Sequence, residues 1–217
     1  DAGTAGAGCV LDAVDLALSG GAVRSFSAVR PPGHHALRGS GMGFCLFGNV
    51  AIAAHYARQV KKLDRVLIVD WDVHHGNGTQ ALVEHDPNIR FVSMHQWPWY
   101  PGTGAHDDRG PHGNVWNVPM PAAQPREAYV GALLSAVDKA SEGFTPDLVI
   151  ISAGFDSLAG DPLGGFTLEL DDVTRMTKEL VSRAEQWCGG RLVSALEGGY
   201  APQRLGEAAV THMRALL

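Results

Sequence analysis

Cysteine is scarce in this chain: Cys9, Cys45 and Cys188 are odd in number, far apart and without a CxxC pair. That excludes a disulfide framework and a thiolate cluster, and leaves any metal to oxygen and nitrogen ligands. Long apolar runs are missing as well. The longest reach five or six residues, against the roughly 20 that a bilayer span requires. No basic start followed by an apolar stretch and a cleavage site is present, so no membrane partner and a cytoplasmic location are the expectations. Basic residues are in deficit, with 17 Lys and Arg against 23 Asp and Glu and a formal net charge of −6. Such a balance offers no cationic face to a nucleic-acid backbone and mildly favours a cationic substrate. No repeat, low-complexity tract or linker divides the 217 residues, a length that suits one domain with a core.

Residues 5 to 18 present Cys9, Ala13, Leu16 and Ala17 on one helical face, and Gly20-Gly21 ends them. A short strand from Phe26 to Val29 leads into Arg30-Pro31-Pro32-Gly33-His34-His35, where two prolines and a glycine bar regular structure and hold both histidines on a rigid loop. A glycine-rich loop from Gly39 to Gly48 precedes an alanine-rich helix from Asn49 to Lys61. The aliphatic run Arg65 to Val69 leaves no polar face and predicts a buried strand. Further strands are expected at Arg90 to Met94, Val115 to Val118, Asp147 to Ser152 and Arg191 to Leu196. Pro125 opens a helix with Val130, Leu133, Leu134 and Val137 at core spacing. Another helix over 169–188 carries Val173, Met176, Leu180, Ala184 and Trp187 on one face, and a last one follows the final strand. Strands alternating with helices imply an α/β fold of three layers, a mostly parallel central sheet with helices on both faces. Polar and glycine-rich segments fall after strands, so several loops converge on one pocket at the strands' carboxyl ends.

The chemistry concentrates in Asp70-Trp71-Asp72-Val73-His74-His75-Gly76-Asn77-Gly78, directly after the central strand. In extended chain, residues two apart point the same way, so Asp72 and His74 aim a carboxylate and an imidazole at one point. A third ligand from a neighbouring loop would complete an open divalent site, and Asp161, fixed by Pro162 and followed by Gly164-Gly165, is the candidate. Adjacent histidines face different ways, so His34 and His35 each need a partner; Asp70 can serve one and Asn77 the other. Tyr200, after Gly198-Gly199, can donate its phenol to an oxygen that develops negative charge.

RPPGHHA at 30–36, GFC at 43–45, VDWDVHHGNGTQ at 69–80, SMH at 93–95, PGTG at 101–104, AGFDSLAGDPLGG at 153–165 and EGGY at 197–200 resemble, in order and spacing, the zinc-dependent histone deacetylase family. The likeness is greatest to its class II branch and to the bacterial histone deacetylase-like and acetylpolyamine amidohydrolases. It implies the arginase/deacetylase-like version of the three-layer fold. It further implies that Asp72, His74 and Asp161 bind one Zn2+, and that His34 and His35 are the catalytic pair with His35 as general base and later acid. Asp70 then partners His34, Asn77 partners His35, and Tyr200 polarises the acetyl carbonyl. Gly43, Phe44 and Tyr100 match the walls of the acyl-lysine channel. Asp70, Asp72, His74, Ser93 and Met94 match a potassium site, and Val83, Asp86 and Ile89 a second monovalent site.

The expected reaction is removal of acetyl or other acyl groups from lysine in proteins or peptides, with acetylpolyamines as the alternative substrates. Leu163, apolar at the channel mouth, leans towards lysine because it offers no carboxylate to a second ammonium. Trp97 and Trp99 are placed on the rim or packed inwards. Two further readings are a two-metal ureohydrolase of arginase type, for which the extra bridging carboxylates are missing, and a non-catalytic acyl-lysine binder or inert fragment. Fe2+ is an alternative to zinc in such a mixed site. Domains of this family are longer, so residues 1–217 are read as one catalytic core shortened at its amino end and at its carboxyl end, with a sheet edge or apolar patch expected to lie exposed.

Overall fold

The computed structural model describes residues 1–217. Six strands form one sheet: β1 (Arg24–Ser27), β2 (Val66–Asp70), β3 (Ile89–Gln96), β4 (Val115–Met120), β5 (Leu148–Ala153) and β6 (Leu192–Leu196), in the order β1-β6-β5-β2-β3-β4. Every pairing is parallel. Central strands of such a sheet are covered on both faces, and β2, β5 and β6 are buried throughout.

Alternate residues of the central strands feed two cores. Leu67, Val69, Val149, Ile151 and Leu192 point to one, and Val66, Ile68, Leu148, Ile150 and Val193 to the other. The first core is closed by α4 (Arg126–Ser141), α5 (Leu170–Cys188) and α6 (Pro202–Leu216), the second by α1 (Ala2–Ser19) and α2 (Asn49–Gln59). Each large aliphatic side chain withdrawn completely from water contributes about 1.5–3 kcal/mol, which makes the sheet a stiff base for the loops at its carboxyl end. α5 is bounded by a capping box between Glu169 and Asp172 and by Gly189 in the left-handed region.

Three expectations need correction. The first strand lies two residues earlier than Phe26 to Val29, because Arg24–Ser27 pairs in register with Leu192–Ala195. The buried face of α1 is Gly3, Gly6, Val10, Ala13, Val14 and Ala17, whereas Cys9 and Leu16 are exposed. The facing surface of α2 is itself alanine, at Ala51, Ala53, Ala54 and Ala57, so close approach of small residues decides the rotation of α1 over side-chain volume. α1 is also long and apolar enough to cross a membrane by length and composition, although it packs on α2, β1 and β6 as a core helix. Third, a helix that the sequence did not announce, α3 (Asn77–Val83), begins inside the central motif.

β1 and β4 are the sheet edges. Beside β1 runs a groove of about 390 Å³ lined by Val23 to Phe26 and by Met213, Leu216 and Leu217.

Candidate active site

Four segments that follow different strands meet above the sheet: 30–35 after β1, 71–77 after β2, 154–161 after β5 and 197–200 after β6. Because β1 lies beside β6, and β5 between β6 and β2, segments far apart in sequence become neighbours. Asp70, Asp72 and Asp156 are fully buried, and Glu197 and Asp161 nearly so, with no buried lysine or arginine among them.

His34 Nδ1 donates to Asp70 Oδ2 at 3.0 Å, and His34 Nε2 stands 3.6 Å from Asp72 Oδ1. Burial opposes a charge on this imidazole, but the Asp72 and Asp70 carboxylates hold it well above its usual range. His35 differs. Its Nδ1 donates to the Asn77 amide oxygen at 2.7 Å, which leaves Nε2 as the free acceptor. Burial, followed by the charge on His34, pulls His35 down to about 3, so it is neutral at neutral pH. Gly43 comes so close that a Cβ there would lie 2.2 Å from His35 Cδ2, and its φ is +54°; no other residue fits.

His74 Nδ1 lies 3.0 Å from Asp72 Oδ1 and 3.1 Å from Asp156 Oδ2, and these three residues bring ligand atoms within 4.8 Å of one another. Burial pulls His74 down, yet Asp156 and Asp72 raise it to about 10, and burial and Asp72 push Asp156 to about 7. Three donor atoms so close together, in a pocket with more carboxylates than cations, fit a divalent ion well. The third member of this cluster is Asp156; Asp161, the expected third ligand, is held separately. Asp161 accepts from Leu163 N–H at 2.9 Å and from Tyr200 N–H at 2.7 Å, and at 7% exposure it is less enclosed than Asp156 at 0%. Gly198 N–H donates to Asp72 Oδ2 at 2.8 Å, and a Cβ on Gly198 would fall 2.2 Å from Asp156 Oδ2.

A cavity of about 370 Å³ opens over the cluster, lined by His35, Gly43, Phe44, His74, Trp99, Tyr100, Leu163 and Tyr200. All four residues expected at the channel, Gly43, Phe44, Tyr100 and Leu163, are therefore on its wall. Trp99 belongs to the rim, where its Nε1 donates to Leu163 O at 2.9 Å, whereas Trp97 is half-buried. Burial and then Asp72 hold the Tyr200 phenol well above its usual value, which keeps it a hydrogen-bond donor.

Asp70, Asp72, Ser93 and Met94 are fully buried, and Asp70 pairs with Ser93 across β2 and β3. At Val83, Asp86 and Ile89 the carbonyl groups already have partners. Asn114 Nδ2 donates to Asp86 O at 3.1 Å and to Ile89 O at 2.9 Å, and Asp86 N–H donates to Val83 O at 3.0 Å.

Two residues of the site escaped the sequence reading. Glu197 Oε2 accepts from Gly33 N–H at 2.6 Å and His34 N–H at 3.0 Å, and its Oε1 from Ser152 Oγ at 3.2 Å, which ties the histidine loop to the ends of β5 and β6. Asp156 also accepts from Val73 N–H at 2.9 Å. Each is a carboxylate within a few residues of the end of a fully buried strand, the signal that marked Asp72.

A parallel sheet with helices on both faces, and one polar site built from the loops after β1, β2, β5 and β6, defines an α/β protein of the arginase/deacetylase architecture. Residues 1–216 match the histone deacetylase domain. The chain belongs to that family. It is 40% identical over 219 residues to "Histone deacetylase 14, chloroplastic" of Arabidopsis thaliana, covering 98% of this chain and 52% of the relative. It is 42% identical over 200 residues to the "Histone deacetylase-like amidohydrolase" of Pseudomonas aeruginosa, covering 90% and 52%. Among solved structures, the HDA15 HD domain superposes with a TM-score of 0.91 at 39% identity, over 99% of this chain and 63% of that one. The chain thus spans from 22% to 62% of the length of the curated relatives compared.

Proposed function

We propose that this site hydrolyses the amide of an acylated lysine side chain in a peptide or protein, releasing the free amine and a carboxylate such as acetate. The observation that carries this reading is the placing of neutral His35 and the phenol of Tyr200 on one narrow cavity above the Asp72–His74 cluster. Zinc, or ferrous iron in its place, would be held by Asp72, His74 and Asp161, with Asp156 bracing His74. Asp161 is preferred as third ligand because it is held by the Leu163 and Tyr200 N–H groups, both of residues on the cavity wall, whereas Asp156 is taken up by Val73 N–H and His74 Nδ1. When bound, the ion supplies Lewis acidity to the carbonyl and acidity to water.

The chain's own residues do the rest. The cavity wall, apolar at Phe44, Tyr100 and Leu163, accepts the lysine methylenes and excludes bulk water. His35 Nε2 takes a proton from the attacking water while Asn77 holds Nδ1, and returns it to the departing amine. Tyr200 donates its hydroxyl to the oxygen on which negative charge develops. His34, paired with Asp70, places a positive charge beside His35 that keeps it unprotonated until the proton arrives.

No carboxylate lines the cavity, which supports acyl-lysine over acetylpolyamine, whose remaining ammonium groups would want one. Potassium belongs to this reading at Asp70, Asp72, His74, Ser93 and Met94. A second monovalent cation belongs to the same reading at Val83, Asp86 and Ile89, where Asn114 Nδ2 already donates to Asp86 O and Ile89 O and leaves each carbonyl a second lone pair.

The test is hydrolysis of a fluorogenic acetyl-lysine peptide by zinc-loaded protein, with and without a hydroxamate chelator, beside Tyr200→Phe. Chelator-sensitive turnover that falls by about 10² to 10³ in the variant, with zinc content retained, is the expected result. Near-full turnover in Tyr200→Phe removes the phenol from the mechanism. Zinc binding without any turnover leaves the acyl-lysine binder as the better reading.

A further inference from the structure

A second cavity, of about 430 Å³, adjoins the channel and shares Phe44 and Tyr200 with it; Ala2, Arg30, Pro31 and Pro32 complete its lining. Phe44 is the ridge between the two, 69% exposed, held at φ +65° and tilted against the Tyr200 ring at 5.8 Å. Among the residues lining either cavity, Arg30 is the one that carries a permanent charge. It is exposed and has neither hydrogen-bond nor ion-pair partner. Arg24, Arg58, Arg126, Arg175, Arg183 and Arg204 each bind a carboxylate of this chain, whereas Arg38 and Arg214 are without one as Arg30 is but line neither of these two cavities.

The backbone that carries Arg30 is fixed. Pro31 and Pro32 follow it, Pro31 O accepts from Asn49 Nδ2 at 3.2 Å, and the next two N–H groups donate to Glu197. A guanidinium on a rigid mount beside apolar proline surface, one ring away from the channel, is a carboxylate receptor without its carboxylate.

We propose that Arg30 is a specificity-determining residue, which takes the carboxylate of an acidic side chain close in sequence to the acyl-lysine while the lysine itself fills the channel. The peptide crosses the Phe44 ridge between the two contacts. This rests on the reading of the channel as an acyl-lysine site. At a solvent-exposed position the contact is worth about a two- to five-fold change in affinity, and less in high salt.

The experiment is fluorescence anisotropy on zinc-loaded protein with labelled peptides that carry one acetyl-lysine and either Glu or Gln at each flanking position in turn. Glu is expected to bind about two- to five-fold tighter at one or two positions. The Glu/Gln ratio should fall to one in Arg30→Ala and invert in Arg30→Glu. A wild-type ratio of one at every position, or a ratio that Arg30→Ala leaves unmoved, overturns the role of Arg30 alone. A parallel series with unmodified lysine separates the premise: binding indifferent to the acetyl group overturns the channel assignment and this proposal with it. Loss of the preference on adding millimolar acetate, but not chloride, assigns Arg30 to the released product and overturns a substrate contact.

Discussion

Burial raises the Glu197 carboxyl from its usual 4.5 to about 7, against the pull of nearby His34. An acid whose folded value exceeds its unfolded value binds its proton more tightly in the folded state. Its contribution to stability is therefore complete below pH 4.5 and is lost as pH rises through 7. A displacement from 4.5 to about 7 corresponds to about 3 kcal/mol. Glu197→Gln imitates the protonated form, since its amide oxygen can accept from the Gly33 and His34 N–H groups and its NH₂ can donate to Ser152 Oγ. The variant should match the wild type near pH 4.5 and exceed it by about 3 kcal/mol above pH 7. Urea unfolding of metal-free protein across that range measures the difference. A difference that stays flat with pH refutes the argument. Glu197→Ala serves as the control: it orphans two buried N–H groups and should destabilise by roughly 2–5 kcal/mol near pH 4.5, a deficit that shrinks by about 3 kcal/mol above pH 7 as the wild type loses the same contribution.

Asp161→Asn should weaken zinc binding by more than about 10²-fold and Asp156→Asn by about 10- to 100-fold, as followed by competition with a chromophoric chelator; the opposite order makes Asp156 the third ligand. Gly43→Ala drives a methyl group into His35 and should lower turnover by about 10²-fold with the far-UV circular dichroism unchanged. His212, fully buried, bridges Thr177 Oγ1 at 2.7 Å and Ser194 Oγ at 2.8 Å, and burial lowers it to about 3. His212→Phe leaves both hydroxyls without a partner and should cost about 2–4 kcal/mol in urea unfolding at neutral pH. Because the wild-type imidazole resists protonation in the folded state, the deficit should narrow as pH falls from 6.5 towards 3.

β2 and β5 were legible because Val66–Val69 and Leu148–Ile151 are aliphatic runs with no polar face, and the alternation of strands with helices set the layer order in outline. The loops that carry Asp72, His74 and Tyr200 could be placed because each follows an expected strand, and His34 and His35 because Pro31, Pro32 and Gly33 bar regular structure there. α3 was not legible: Asn77–Val83 starts with an Asn-Gly pair and holds its first turn through Thr79 N–H to His34 O, a contact with a residue 45 positions away. The face of α1 depended on α2, which offers it alanines, and no periodicity within α1 contains that information. Asp156 and Glu197 look like ordinary strand-end acids until the β1-β6-β5-β2 order sets them under the histidine loop.

That strand order also governs when the site can exist. His34 and His35 leave β1, near the start of the chain, and their supports Glu197 and Gly198 leave β6, near its end, with β1 and β6 side by side. A growing polypeptide can assemble β2, β3, β4 and β5 as soon as they emerge, yet the Gly33 and His34 N–H groups lack their Glu197 acceptor until residue 197 has been synthesised and released. The pairing of β1 with β6 is thus the step that completes the ring of loops on which the proposed chemistry depends.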